Sequence, residues 1–156
     1  MINFFAKTGP FLFISLLALP LQGHEDDGPD HLIHHLRVGS AKGEPQAIYR
    51  LANEYARGKL LVKNEEKALE LFRKAAGLGN PAAQWTLAGK YSSGTGVEKD
   101  KVEAYKWALV SIENGSEVAR KLISNFEQEL SPDEKEKGKN LATQWQENFL
   151  KKEPKK

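Results

Sequence analysis

"PAAQWTLAGKYSSGTGVEKDKVEAYKWALVSIENG", residues 81–115, decides the fold, because the chain carries a related stretch 36 residues earlier. Residues 45–79 align with it without a gap, and nine positions are identical. Most of the shared residues are small, apolar or glycine, the types that fix packing and turns. A repeat of this length indicates a solenoid, in which each unit buries its apolar face against its neighbours.

Each repeat unit predicts two antiparallel helices. In the second unit, Leu87, Ala88 and Tyr91 form one apolar stripe with helical spacing. A second stripe follows after the loop and consists of Ala104, Trp107, Ala108 and Ile112. Asparagine or aspartate precedes the helices as a capping residue, and glycine follows them. The capping residues are Asn64, Asn80 and Asp100, and Glu103 is expected to complete a capping box with Asp100. The glycines that end helices are Gly58 and Gly79.

Partial units flank the two complete ones. Residues 31–42 align with the second helix of a unit, and Asp30 is its expected cap. On the other side, residues 117–129 begin a third unit, and "SPDE" at 131–134 is a capping box that opens a last helix to about Leu150. We therefore predict an all-α solenoid of stacked antiparallel helix pairs with five to six helices. Its domain covers residues 31–150, with units 45–80 and 81–116 between capping helices 31–42 and 117–150.

The two ends of the chain read differently from the repeats. Residues 1–23 have the layout of a signal peptide, with an apolar run at 11–21 and an expected cleavage after Gly23. An uncleaved membrane anchor is the alternative. Residues 24–30 are expected to be a flexible acidic lead, and 151–156 a basic disordered tail. We therefore predict a secreted or periplasmic protein with no membrane span after cleavage.

Composition narrows the possible functions. The chain has 156 residues, a formal net charge of +2 and no cysteine. The length suggests one domain. The small net charge argues against nucleic acid as a partner. The absence of cysteine excludes disulfides, cysteine–zinc sites and thiol catalysis.

The second unit resembles the Sel-one-like repeat (SLR), which is related to the tetratricopeptide repeat. The resemblance rests on an alanine, a leucine with a small residue, a tyrosine, G-x-G-V, an aspartate, an alanine with an aromatic, and a final glycine. Here these are Ala83, Leu87 with Ala88, Tyr91, Gly94 to Val97, Asp100, Ala104 with Trp107, and Gly115. The first unit matches more loosely, with Leu60, Asn64 and Leu71 at the glycine, aspartate and aromatic positions. The resemblance implies a right-handed stack of helix pairs that serves as a protein-binding adaptor, without catalytic residues or cofactors.

Phosphate binding and catalysis find little support in the residues. The glycine-rich loop "YSSGTGVEKD", 91–100, lies between two predicted helices, whereas a phosphate loop follows a strand. The aspartate that caps the next helix would repel a phosphate. No histidine occurs after residue 35, so the repeats hold no histidine base for a catalytic triad. A hydrolytic enzyme built on helices is the least favoured interpretation.

The four histidines form the one unusual cluster, in "HEDDGPDHLIHHL" at 24–36. His31 and His35 are four residues apart, the spacing at which two imidazoles on a helix can share a metal, and His24 would become the new N-terminus. A metal-binding envelope protein using His24, His31 and His35 is therefore the alternative function. In the simpler interpretation no metal binds, and His35 packs inward because it aligns with Leu71.

The first helix of each unit is expected to line the concave side of the solenoid and to bind a protein or peptide there. Two residues before the packed leucine, one column is predicted to point into this groove, and a second column follows one turn later. The alternative for Trp85 is ordinary packing between helices. The predicted partner-binding residues are Tyr49, Trp85 and Lys121 in the first column and Asn53, Gly89 and Asn125 in the second.

Overall fold

A computed structural model describes residues 28–152, and this part of the chain contains seven helices and no strand. The all-α solenoid is confirmed, but the helix count exceeds the expected five to six, because residues 117–150 divide into two helices near Ser131. The helices are α1 Pro29–Ala41, α2 Pro45–Arg57, α3 Glu65–Gly77, α4 Pro81–Ser93, α5 Lys101–Glu113, α6 Glu117–Gln128 and α7 Pro132–Lys152.

The helices stack as antiparallel pairs. α2 packs on α3 and α4 on α5, and these are the most extensive helix contacts in the described part of the chain. α3 also packs on α4 and α5 on α6, which joins successive units. α1 packs on α2 as the second helix of an incomplete unit would. The result is one stack whose first helices are α2, α4 and α6.

Small side chains hold the helices close together. Several alanines from α2 to α6 are completely buried, so neighbouring backbones approach each other without a bulky side chain between them. Larger residues fill the remaining space, chiefly Ile48, Phe72, Leu87 and Tyr105. The buried alanines are Ala52, Ala68, Ala75, Ala76, Ala83, Ala88, Ala104, Ala108 and Ala119.

The loops of the two units close in the same way. The Asn64 amide donates to the Tyr55 carbonyl at 2.9 Å, and the Asp100 amide donates to the Tyr91 carbonyl at 3.0 Å. Gly94 has a φ of 78° at the end of α4, a left-handed conformation that favours glycine. The loop at 91–100 is therefore a turn that reverses the chain between two helices.

The predicted caps of the central helices are present, with one correction. Asn64, Asn80 and Asp100 each accept hydrogen bonds from the first turn of the following helix. Glu103 was expected to complete a capping box with Asp100, but its carboxylate pairs with Lys106 instead. The capping box is not needed there, because the Asp100 amide is already bonded to Tyr91.

The first and last helices differ in how their ends are capped. α1 begins at Pro29 with Gly28 in the capping position and no side-chain cap, so the expected cap by Asp30 is wrong. Pro29 favours the start of the helix instead, because its fixed φ suits the first turn. The capping box of α7 is confirmed: Ser131 Oγ accepts from the Glu134 amide at 3.3 Å, and Glu134 Oε2 accepts from the Ser131 amide at 2.8 Å. This backbone hydrogen bond lowers the pKa of Glu134.

α7 runs across α5 and reaches the end of α3. Gly138 is buried against Tyr105, where an added Cβ would lie 2.7 Å from a ring carbon. The Trp145 ring meets Trp107 edge-on at 5.8 Å and stacks on Phe149 at 5.0 Å. Phe149 contacts Gly79, which follows α3. α7 thus connects both complete units from the side of their second helices. No helix among residues 28–152 is long and apolar enough to cross a membrane.

We expect Gly138→Ala to destabilise the protein by about 1–3 kcal/mol, because the new methyl group would collide with the rigid Tyr105 ring. Gly89→Ala is the matched control. Gly89 lies within α4, and a Cβ there meets nothing within 4 Å. Its replacement should raise stability by about 0.5–1 kcal/mol through helix propensity. Urea denaturation of both variants checks the difference, and equal stabilities would show that α7 does not dock through Gly138.

Candidate functional site

The first helices α2, α4 and α6 share a side on which corresponding residues are exposed or half-buried. We call it the first-helix face and define it by its residues. Helical spacing and the 36-residue offset place corresponding residues of the three helices on it. They are Tyr49, Arg50, Asn53 and Arg57 on α2, Trp85, Thr86 and Gly89 on α4, and Val118, Lys121, Leu122 and Asn125 on α6.

The aromatic residues of the first predicted column pack partly into the solenoid. The Tyr49 ring lies 5.9 Å from that of Phe72, and the Trp85 ring meets Phe126 edge-on at 5.8 Å. Both Tyr49 and Trp85 are half-buried. Tyr49 contacts α3 of its own unit and Trp85 contacts α6 of the next, so a large side chain in this column reaches a neighbouring helix. These rings therefore serve packing as well as offering a surface.

The other predicted residues divide by exposure. Asn53 is half-buried, and its Nδ2 donates to the Tyr49 carbonyl at 3.0 Å, so part of its hydrogen-bonding capacity is used within α2. Gly89, Lys121 and Asn125 are exposed. Within residues 28–152, the side chains of Lys121 and Asn125 make no hydrogen bond or ion pair. Among the predicted residues, those with an exposed polar side chain therefore lie on α6.

A cleft between α1 and α2 belongs to the same face and was not predicted from the sequence. It has a volume of about 270 Å³ and is lined by Leu32, Leu36, Tyr49, Arg50, Asn53, Glu54 and Arg57. Arg50 and Arg57 are exposed and form no ion pair with any residue of the described range. Glu54 Oε2 is buried there and has no hydrogen-bond partner in that range. The sequence did contain a signal for this surface. Arg50 aligns with Thr86 and Leu122 at the 36-residue offset, so the residue type changes at this position while the core positions keep theirs.

Polar side chains form hydrogen bonds between the helices of the central units, and the bond from Gln84 to Ala76 joins one unit to the next. Gln84 Nε2 donates to the Ala76 carbonyl at 3.0 Å, and Asn114 Nδ2 donates to Gln84 Oε1 at 3.2 Å. Ser111 Oγ donates to the Pro81 carbonyl at 2.7 Å. Sequence reasoning missed Gln84, because a glutamine on a helix usually faces solvent.

A hydrogen bond between α5 and α6 holds α6 in place. The Tyr105 hydroxyl donates to Glu127 Oε1 at 2.9 Å, and Tyr105 is completely buried. Burial, together with the neighbouring carboxylate, raises the pKa of Tyr105 to about 12. Both effects favour the protonated phenol, which is the form that can donate this hydrogen bond.

The histidines lie at the start of α1. The His31 and His35 rings are 4.4 Å apart and nearly perpendicular. His35 was expected to pack inward, but it is exposed, because Ile33 and Leu36 provide the buried side of α1. His24 lies outside the described residues. Among residues 28–152, no three histidine, cysteine or acidic side chains are grouped so that they could hold a metal ion.

The fold and this face define an α/α repeat protein built from helix pairs. The family model described as Sel1 repeat matches residues 45–80 and 81–116. The chain therefore carries two Sel1 repeats and has the SLR fold. A protein-interaction scaffold is the typical role of that fold.

Two solved structures have the same fold. One is c5321, a protective antigen of uropathogenic Escherichia coli with an SLR fold, which matches at a TM-score of 0.69 and 28% identity over 82% of this chain and 30% of its own. The other is a Sel1 repeat protein from Oxalobacter formigenes, with a TM-score of 0.64 and 25% identity over 81% of this chain and 51% of its own.

Two curated proteins are similar in sequence. The alginate biosynthesis protein AlgK of Azotobacter vinelandii is 31% identical over 98 residues, which are 63% of this chain and 21% of AlgK. An exopolysaccharide production negative regulator of Rhizobium leguminosarum bv. viciae is 40% identical over 57 residues, 34% of this chain and 21% of the regulator. The chain thus spans about a fifth of the length of either relative.

Because Tyr105 is buried and hydrogen-bonded to Glu127, the free energy of unfolding should decrease at alkaline pH. Tyrosine in the unfolded chain has a pKa near 10, below the value of about 12 in the folded protein. The stabilisation is therefore complete below pH 10 and is lost as the pH rises toward 12, by about 2–3 kcal/mol. Urea denaturation between pH 9 and 11.5 should show a steeper loss for the wild type than for Tyr105→Phe. Parallel curves for the two proteins would contradict the assignment.

Proposed function

We propose that this protein is an exported adaptor that binds a segment of another protein on the first-helix face, the concave side expected for a short solenoid. The observation that carries the proposal is the exposure of Gly89, Lys121 and Asn125 on that face, where the fold itself gives them no packing role. Exposed polar residues and glycines in positions that packing does not require are typical of binding surfaces. Tyr49, Asn53 and Trp85 contribute contact area from half-buried positions.

An adaptor accounts for the described residues better than an enzyme does. Gln84 bonds to the Ala76 carbonyl of the preceding unit, while Ser111 and Asn114 bond to Pro81 and Gln84 within their own unit, so all three polar side chains serve the packing of the helices. The raised pKa of Tyr105 comes from its burial, with a smaller contribution from the structural hydrogen bond to Glu127. The function therefore rests on a surface, and we propose no catalytic residue, cofactor or nucleic-acid partner.

The relatives suggest where such an adaptor acts. One is named for alginate biosynthesis and the other for the regulation of exopolysaccharide production. We place the partner among the proteins that make, export or control an extracellular polysaccharide. This assignment agrees with the apolar run at 11–21, which has the layout of an export signal.

Site-specific crosslinking in cells tests the adaptor function. A photoreactive phenylalanine analogue at Asn125 should give one discrete crosslinked protein, and Gly89→Gln in the same chain should abolish it by filling the face. The matched control carries the analogue at Arg73, an exposed residue of α3 on the opposite side of the unit. Equal products from Asn125 and Arg73, or products that persist with Gly89→Gln, would refute binding on the first-helix face.

Mass spectrometry of the protein recovered from the cell envelope and medium tests the export. The expected N-terminus lies at His24 or within a few residues of it, because signal peptidases cut after small residues that follow the apolar run. The cytoplasmic fraction of the same cells is the control. A chain that retains residues 1–23 in a membrane fraction would refute cleavage and favour the anchored alternative.

A further inference from the structure

We propose that the segment bound on the first-helix face is acidic at one end and apolar at the other, and that its main chain crosses α4 at Gly89. The inference rests on the proposed function, because it names the chemistry of the partner that this face would bind. It follows from what each helix presents on this face: Arg50 and Arg57 on α2, Gly89 on α4, and the exposed Val118 and Leu122 on α6.

The basic end lies on α2. Arg50 and Arg57 are two helical turns apart, about 10 Å, and therefore project from the same side of the helix. Both are exposed, and neither forms an ion pair with a residue between 28 and 152. By contrast, Lys90 of the next first helix pairs with Glu65 at 3.8 Å. Two exposed guanidinium groups on one side of a cleft favour carboxylates, which they can bind through paired hydrogen bonds.

Glu54 lies between the two arginines and is the one acidic residue that lines the cleft. Its Oε2 is buried and accepts no hydrogen bond from the described part of the chain. Because this oxygen is closed to solvent, it is also out of reach of a partner on the surface. The exposed arginines on either side of Glu54 therefore select the charge of the partner's side chains.

No side chain projects from α4 at position 89, in the middle of the face, because this residue is a glycine. Gly89 is exposed, and an added Cβ would meet nothing within 4 Å. The fold therefore does not need a glycine at this position, and glycine within a helix lowers stability relative to alanine. Thr86, one turn earlier, turns its hydroxyl back to the Ala82 carbonyl at 2.8 Å. A partner's main chain can approach α4 closely at Gly89.

The apolar end lies on α6. Val118 is 55% exposed and Leu122 is 41% exposed, and their spacing of four places them on one side of the helix. The neighbouring Lys121 and Asn125 are also exposed. An apolar side chain of a partner that covered Val118 and Leu122 would remove both from water. Lys121 adds a positive charge beside them, and Glu117, one turn earlier, pairs with Arg120 at 3.4 Å.

The dimensions set the length of the segment. Successive first helices are joined through the second helices α3 and α5, so each step is at least the 8–10 Å of directly packed helices, and α2 and α6 lie about 20 Å or more apart. An extended chain advances about 3.3 Å per residue, so at least about six residues are needed to span this distance. The partner should therefore carry one or two carboxylates and, at least about six residues away, a large apolar side chain.

Selection from a phage-displayed library of random twelve-residue peptides tests this inference with the purified protein as bait. Peptides with aspartate or glutamate at least about six residues from a large apolar residue should be enriched. Arg50→Glu combined with Arg57→Glu should weaken the best peptide about tenfold or more, and added salt should weaken its binding to the wild type. The matched control is Arg73→Glu with Lys74→Glu on α3, which changes the net charge equally and should leave the dissociation constant within twofold.

Gly89→Gln separates this inference from the proposed function. Glutamine favours helix more than glycine does, so the variant should melt at or above the temperature of the wild type. Selected peptides that are basic or neutral, yet lose binding with Gly89→Gln, would overturn the acidic partner and leave the adaptor face intact. If no peptide is enriched, or if none responds to Gly89→Gln, both the inference and the proposed binding face are wrong.

Discussion

The close approach of helices through buried alanines is the constraint on which this molecule depends. Ala52, Ala88 and Ala104 have no exposed surface, and each lies where two helices meet. A larger side chain at such a contact would push the backbones apart and break the match between units. Because these small residues fix the spacing, the larger core residues, such as Leu87 and Phe72, have one defined space to fill.

Because the buried residues fix the stack, the amino acids on the exposed side of the first helices can vary. The residues that stack the units recur at the 36-residue offset, whereas Arg50, Thr86 and Leu122 occupy one equivalent position with three different chemistries. A solenoid can therefore present a surface whose character changes from one helix to the next while its spacing stays constant. Recognition by such a surface depends on the order of its units as much as on any single residue.

Much of the fold could be predicted from the sequence, because its signals are local or recur at a fixed offset. The caps at Asn64 and Asn80 and the turn after Tyr91 follow from short-range chemistry. The docking of α7 could not be predicted, because no earlier unit has an equivalent helix and the Gly138–Tyr105 contact joins positions without a repeat relation. The aromatic contact of Trp85 with Phe126 and the cleft beside Arg57 also depend on how neighbouring units meet, which the offset alone does not give.

The course of α7 has a consequence for the stiffness of the molecule. Solenoids bend most easily at the joints between units, since each unit contacts only its neighbours. Here Trp145 contacts α5 and Phe149 contacts the end of α3, so one continuous helix spans the boundary between the two complete units. Contacts with both units restrict bending at this boundary and so restrict changes in the curvature of the opposite side. A segment that binds there meets a pre-organised surface, so the protein loses less conformational entropy on association.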